Sequence, residues 1–233
     1  MVKLGNFLFH YRNFLFPAFY VLLFIPSPLL FNNIWIAIVT GLFIALTGQA
    51  IRVATVGLVY IIRGGKNRQI YAEGLVTEGI FSHCRNPLYV GNVLIIAGLG
   101  IMSDSLFFIL VMIPLFIFFY QAIIRAEENF LYTKFGTAFT DYTAKVNRWL
   151  PNMSGIGTTM SSMQFHWKRV FIKEYTSAFI WMVGGVLLIM NNTWQYDRNH
   201  FYTLRPLLFL SLLLLVCFYT GVRYMKKSKR WID

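Results

Sequence analysis

Long apolar runs separated by short basic segments dominate this chain, and few folds accommodate that pattern. Of its 233 residues, 57% are hydrophobic and 18% aromatic, while only 13% are charged. Ordinary soluble chains carry about 25% charged residues. Runs of about 20 apolar residues mark membrane-spanning helices. Spans are predicted at Phe14–Phe31, Ile34–Ile62, Pro87–Met102, Ser105–Ile124, Thr176–Asn191 and Leu204–Tyr224. The first carries Pro17, Pro26 and Pro28 and is expected to kink or end early. The second would be about 43 Å long, beyond a hydrocarbon core of about 30 Å, and the third only about 24 Å. A bend is expected at Pro114. Ser103-Asp104-Ser105 predicts a tight hairpin with a capping side chain. The fold class is therefore all-α: a polytopic membrane helical bundle of about six transmembrane helices.

The net charge of +12 would suggest nucleic acid on a soluble protein. Here the charges sit between apolar runs, which points instead to topology and anionic lipid headgroups. With the N-terminus inside, every Lys and Arg except Arg52, Arg198 and Arg205 falls on the inner face, Arg63, Lys66, Arg68, Lys229 and Arg230 included. The positive-inside rule then predicts both termini in the cytosol, in an inner cell membrane or the endoplasmic reticulum. The first run has no small-residue cleavage site after it and is expected to stay as a helix. Cys84 and Cys217 occupy unlike settings, so no disulfide is predicted. His10, His83, His166 and His200 are scattered, and no metal site is expected. Gly155–Thr159 and the serines after it read as a flexible connector. Met163–Lys173 reads as a short interfacial helix.

Two segments carry polar side chains in ordered patterns. In the first, Leu75-Val76-Thr77-Glu78-Gly79-Ile80-Phe81 precedes Arg85-Asn86-Pro87-Leu88-Tyr89-Val90-Gly91. Asn86 suits an N-cap and Pro87 a first helical position, so a helix start with free N–H groups faces the inner interface and can receive an anion. In the second, Arg125-Ala126-Glu127-Glu128 leads into Phe135-Gly136, Tyr142 and Arg148-Trp149-Leu150-Pro151. Adjacent carboxylates at a helix C-terminus gain nothing from its dipole. Glu127 and Glu128 point about 100° apart, so at most one faces a given pocket. An Arg125–Glu128 surface pair and a snorkelling Arg52 are the plain structural alternatives.

The ordered pattern G-x-F-x-x-x-R-N-P-x-Y-x-G, then E-E-x-x-L, F-G, Y and R-W-L-P, resembles the isoprenylcysteine carboxyl methyltransferase family, whose relatives include phospholipid methyltransferases. The likeness runs from about Gly41 to Pro151, and Gln49-Ala50-Ile51-Arg52 resembles the family's preceding helix. Residues 1–151 are accordingly expected to form the methyltransferase-like core. Residues 152–233 would add a linker and two more spans that match nothing in that family. The resemblance implies an S-adenosylmethionine pocket facing the cytosol, with a membrane lipid or other lipophilic acceptor entering sideways. It implies cofactor contacts from Glu73, Gly74, Leu75 and Val76 by their backbone, from Phe81, Asn86, Pro87, Leu88 and Tyr89 lining the pocket, and from Glu127 at the cofactor's polar end. Three positions depart from the usual pattern: Asn86 stands for a common His, Phe81 for a Tyr, and Phe139 for the first Tyr after Phe-Gly.

A methyl group on sulfonium is already activated, and in-line transfer needs mainly alignment of the reacting atoms at about 3–3.5 Å. An apolar, dry pocket suffices, and aromatic faces such as Phe81 and Tyr89 favour the cation. A carboxylate acceptor would call for an arginine, Arg125 first and Arg52 second. An amine acceptor would call for a base, for which Glu128 is the candidate. No G-x-G-x-x-G follows a strand, which excludes a Rossmann-type methyltransferase. Two other readings share some features: a sterol-reductase-like membrane oxidoreductase, similar around an R-x-P-x-Y-x-G turn, and a non-catalytic membrane protein that keeps the fold.

Overall fold

The computed structural model of the chain describes residues 1–59 and 70–228. Arg63, Lys66, Arg68, Lys229, Arg230 and the distal end of the predicted second span lie outside these residues. Helices α1 (Val2–Tyr20), α2 (Ile34–Leu58), α3 (Pro87–Met102) and α4 (Ile113–Phe135) are followed by short α5 (Thr137–Lys145) and α6 (Ile156–Ser161), then by long α7 (Trp167–Tyr196) and α8 (Arg198–Lys227). The described residues contain no strand beyond an isolated bridge between Leu29 and Ser105. Among the described residues, five helical segments are long and apolar enough to cross a membrane, and α3 is a shorter apolar helix. The predicted six spans thus resolve into five full-length ones and a short one, in an all-α polytopic bundle.

The boundaries follow from local chemistry. The first span begins at Val2 and continues through a 3-10 turn to Phe24. Pro26 and Pro28 therefore lie beyond it, and only Pro17 sits inside. Asn33 caps α2, its side chain accepting from the Trp35 N–H at 2.8 Å. The hairpin after α3 is held from both sides. Ser105 Oγ accepts from the Phe108 N–H at 3.2 Å, and Asp104, at φ 51°, accepts from the Leu30 and Phe31 N–H groups at 2.9 and 3.0 Å. The expected disturbance near Pro114 takes the form of a π-helical segment, Phe108–Met112. Proline's ring clashes with the carbonyl four residues back, and a wider turn relieves it. Met163–Lys173 does not form a separate interfacial helix: from Trp167 onward it is the start of α7. The expected flexible connector contains α6, with Thr159 hydrogen-bonded to His83.

The α2–α3 pair packs most extensively, and glycines explain how. Gly41 and Gly48 face Gly98 and Gly91 in antiparallel register, each pair spaced by one heptad. A Cβ on Gly48 would lie 2.6 Å from the Gly91 carbonyl oxygen, and one on Gly98 would lie 2.5 Å from that of Gly41. Small residues let membrane helices approach backbone to backbone, where dispersion and close packing replace the hydrophobic effect. The main core joins α1, α3, α4 and α7 through Leu8, Phe16, Ile96, Leu99, Phe116 and Leu188. Gly5 meets the Ala122 carbonyl in a second close approach, between α1 and α4.

Gly48→Leu or Gly98→Val should destabilise the detergent-purified protein by about 1–3 kcal/mol or more, because the side chain meets backbone that cannot yield. Gly184→Ala on α7, where a Cβ meets nothing within 4 Å, should leave thermal unfolding unchanged. Thermal unfolding followed by size-exclusion chromatography distinguishes the two outcomes.

Candidate active site

The α3 N-terminus is anchored by the segment that carries the second motif. The turn before α3 and residues 147–152 run alongside each other. The Arg85 N–H donates to the Asn147 carbonyl at 2.9 Å, and the Asn152 N–H donates to the His83 carbonyl at 2.9 Å. His83 Nδ1 lies 2.7 Å from the Asn152 carbonyl. Asn86 occupies the N-cap position but makes no side-chain cap. Its Nδ2 donates instead to the Arg148 carbonyl at 3.2 Å. Trp149 closes the junction, its indole N–H donating to Gln121 of α4 at 2.9 Å.

Beside this junction lies a cavity of about 650 Å³, lined by α1, α2, α3, α4 and α7, a size typical of small-molecule sites. Phe81, Asn86, Pro87, Leu88, Tyr89 and Glu127 all line it. The Tyr89 hydroxyl donates to Glu127 Oε1 at 2.6 Å, and Arg12 Nη1 donates to the Tyr89 oxygen at 3.4 Å. The Tyr89 and Tyr120 rings sit 5.3 Å apart. The N–H groups of Tyr89 and Val90 turn back to the Asn86 carbonyl and Pro87 has none, so Leu88 carries the first N–H of the turn. Phe81 is held from behind, its carbonyl accepting from the Tyr142 hydroxyl at 2.7 Å.

Other predicted site residues lie elsewhere. Glu73 and Gly74 are exposed, and Glu73 accepts from the Tyr71 hydroxyl at 3.3 Å. Leu75 and Val76 are inserted into two separate apolar clusters, Leu75 beside Leu131 and Phe139, Val76 beside Leu58 and Phe81. None of residues 73–76 lines the cavity, because these insertions turn the segment away from it. Arg125 is exposed on the other side of α4 and is not a lining residue. The expected Arg125–Glu128 pair is replaced by another. Glu128 is buried and accepts from Arg148 at 3.1 and 2.5 Å, with Arg85 at 3.5 Å. This carboxylate does not line the cavity and is committed to two guanidiniums, of which Arg85 lines the cavity and Arg148 does not. Arg52 does line the cavity, and it does not snorkel. It forms a two-pronged pair with Glu174 of α7, 2.8 Å at each contact, and donates to Asn92.

The sequence reading left out the α1 and α7 walls: Arg12, Asn13, Lys173, Thr176 and Trp181. Glu174 was the available signal, a lone acid at the edge of an apolar run that needs a buried cation as partner. Among the described residues no three His, Cys, Asp or Glu side chains group as a metal would require. Burial pushes the Cys84 thiol above its ordinary value, against weaker opposing effects of the Asn86 backbone N–H and Arg85.

Residues 36–138 match the family model described as phospholipid methyltransferase. Over 159 residues the chain is 36% identical to the cobalt-zinc-cadmium resistance protein CzcN of Cupriavidus metallidurans, covering 65% of this chain and 68% of that protein. It is also 36% identical over 107 residues to the nickel-cobalt-cadmium resistance protein NccN of Alcaligenes xylosoxydans xylosoxydans, covering 45% of this chain and about half, 47%, of that relative. No solved structure matches. The fold and these matches define a multi-pass membrane protein, and the chain belongs to the phospholipid methyltransferase family of integral membrane methyltransferases.

Cys84 should resist maleimide at neutral pH in the folded protein and react once the protein is denatured. A raised folded-state thiol value favours the folded state below the ordinary value of 9.0, and this contribution is lost as pH rises through the higher folded value. Unfolding measured across that alkaline window should therefore be less pH-dependent in Cys84→Ala.

Proposed function

We propose that the chain is an S-adenosylmethionine-dependent methyltransferase acting on a lipid or other lipophilic acceptor at the cytosolic membrane face. The observation that carries this reading is the convergence of the α3 N-terminal turn with Tyr89 and Glu127 in one aromatic-lined cavity. The donor set suits the cofactor's shape and charges. Glu127 would receive its ammonium group. The Leu88 N–H and Arg85 would receive its carboxylate, favoured by the helix dipole. Phe81, Tyr89 and Tyr120 would face the sulfonium, whose positive charge an aromatic face attracts. When bound, S-adenosylmethionine supplies an already activated methyl group.

The protein's own contribution is then orientation and dryness. Tyr89 holds the Glu127 carboxylate in place through its hydroxyl. Phe16, Ile95 and Ile180 give the cavity an apolar wall that limits water at the transfer site. Neither Arg125 nor Glu128 is needed in this scheme. Arg52 acts by tying α7 to α2, which fixes the wall opposite α3. The two relatives are named for resistance to cobalt, zinc, cadmium and nickel. A link of this chain to metal tolerance would run through its methylated product, since the cavity presents cationic and aromatic groups and not a set of metal ligands.

Calorimetry on detergent-purified protein tests the reading. S-adenosylmethionine and S-adenosylhomocysteine should both bind the parent. Glu127→Ala should weaken binding by about 30-fold or more, the usual cost of truncating one partner of a buried charged contact. Absence of binding in the parent would sink the proposal, and binding of a nicotinamide cofactor instead would favour a reductase.

A further inference from the structure

The hairpin at the C-terminal end of α3, remote from the large cavity, holds a carboxylate that the fold uses only by half. Asp104 is 1% exposed. Its Oδ1 accepts from the Leu30 and Phe31 N–H groups. Its Oδ2 is buried without a hydrogen-bond partner, and among the described residues no Lys, Arg or His forms an ion pair with Asp104. The turn itself does not call for the charge. Asp104 stands at φ 51°, a conformation that asparagine adopts as readily as aspartate. An asparagine oxygen would also accept from both N–H groups. What aspartate adds is a second oxygen and a negative charge, and a charge taken out of water needs a partner.

Asp104 lines a second chamber of about 20 Å³, which shares no residue with the large cavity. That is room for one occupant the size of a water molecule. Its polar walls are Ser27 after the first span, Ser103 and Ser105 beside Asp104, and Asn191, Asn192 and Gln195 on α7. Three helix C-termini meet around it: the first span ends at Phe24, α3 at Met102 and α7 at Tyr196. The carbonyl end of a helix carries partial negative charge and attracts cations. The helical segment that leaves the hairpin presents its N-terminus, which Ser105 caps through the Phe108 N–H. Asn192, 1% exposed, is fixed by donating from Nδ2 to the Met102 carbonyl. Its Oδ1 receives a long contact, 3.5 Å, from Asn191 Nδ2.

We propose that this chamber is a sodium-ion site, with Asp104 Oδ2 as its charged ligand and Asn192 Oδ1 and the Ser27 and Ser105 hydroxyls as its neutral ones. The donor set decides the class of ion. The lining contains no His or Cys, so nickel, cobalt, zinc or cadmium would meet none of their preferred ligands. Calcium affinity rises with the number of charged ligands, whereas one carboxylate balances one positive charge. The small volume favours sodium over the larger potassium ion. Membrane proteins coordinate sodium where helix C-terminal ends and irregular backbone meet, which is the arrangement around Asp104. The ion neutralises the carboxylate and fastens together the end of the first span, the α3 hairpin and α7. The site stands at the other end of a 16-residue helix from the Asn86-Pro87 turn, about 24 Å away. Its role is therefore to fix the register of the bundle, independently of the chemistry proposed for the large cavity.

Thermal unfolding of the full-length protein in neutral detergent tests this, in sodium, potassium, calcium or choline chloride at one ionic strength. Each tenfold rise in sodium above its dissociation constant should raise the parent's midpoint by about 3–5 °C. Potassium and choline should give much smaller shifts. Asp104→Asn keeps an oxygen for the Leu30 and Phe31 N–H groups and removes the charge, so its midpoint should not respond to sodium. In choline chloride it should unfold at or above the parent's temperature, because no buried charge is left unpaired. The sodium NMR resonance should broaden in the presence of the parent and not of the variant. The parent's cation series and its effect on that resonance decide the matter even where the variant does not fold. A parent midpoint equal in sodium and choline would overturn the proposal and leave the chamber to water. So would a sodium response undiminished in Asp104→Asn, or a larger shift with calcium or potassium than with sodium.

Discussion

The backbone contact between α2 and α3 is the constraint on which the rest of the molecule depends. Glycines one heptad apart on both helices let the two backbones touch, as small residues do at membrane helix interfaces. The contact continues to the N-terminal end of α3, where the Arg52 stem lies directly over Gly91. One seam thus fixes three things: the axial position of a helix too short to find its own depth, the location of its open N-terminal turn, and the place where Arg52 emerges toward α7. A side chain at any of these glycines would spread the pair and shift the turn away from Glu127.

A second layer of constraint is polar. A carboxylate taken out of water is tolerated only when paired and hydrogen-bonded. Glu128 meets this demand with Arg148 and Arg85, and Glu174 meets it with Arg52. These pairs are better understood as registry devices than as sources of stability, since desolvation offsets most of their attraction. The first ties the segment after α5 to α4 and to the turn before α3. The second ties α7 to α2. Neither partner can leave without stranding a buried charge, so the walls of the cavity are held at fixed spacing.

Much of this was legible in the sequence because membrane helices obey one strong rule, burial of apolar length. The bounds of α3 were read to the residue from Asn86-Pro87 and the Ser103-Asp104-Ser105 hairpin. The convergence of Tyr89 with Glu127 could be expected from the order of the motifs. Other features depended on pairings that no local pattern encodes. Glu127 and Glu128 are adjacent and chemically alike, and only the position of Arg148 decides which one is removed from the cavity. Arg52 looked equally suited to snorkelling until Glu174 supplied its partner across 122 positions of chain. The heptad spacing of Gly41 with Gly48 and of Gly91 with Gly98 was present to be read, and it required asking which helices touch before asking what lines a pocket.

The cavity is lined by two parts of the chain, one inside the region that matches the family and one outside it. In the proposed scheme the donor side is built from α3, α4 and the turns around them, mostly within the matched region, where an activated methyl group asks only for fixed geometry and exclusion of water. The rest of the lining comes from α1 and α7, beyond that region, and Arg12 of α1 reaches the Tyr89 hydroxyl on the donor side. Arg52–Glu174 carries α7 on the helix that also seats α3, and Arg12 ties α1 to Tyr89 of α3. The glycine seam and the Tyr89–Glu127 contact cannot vary independently of each other.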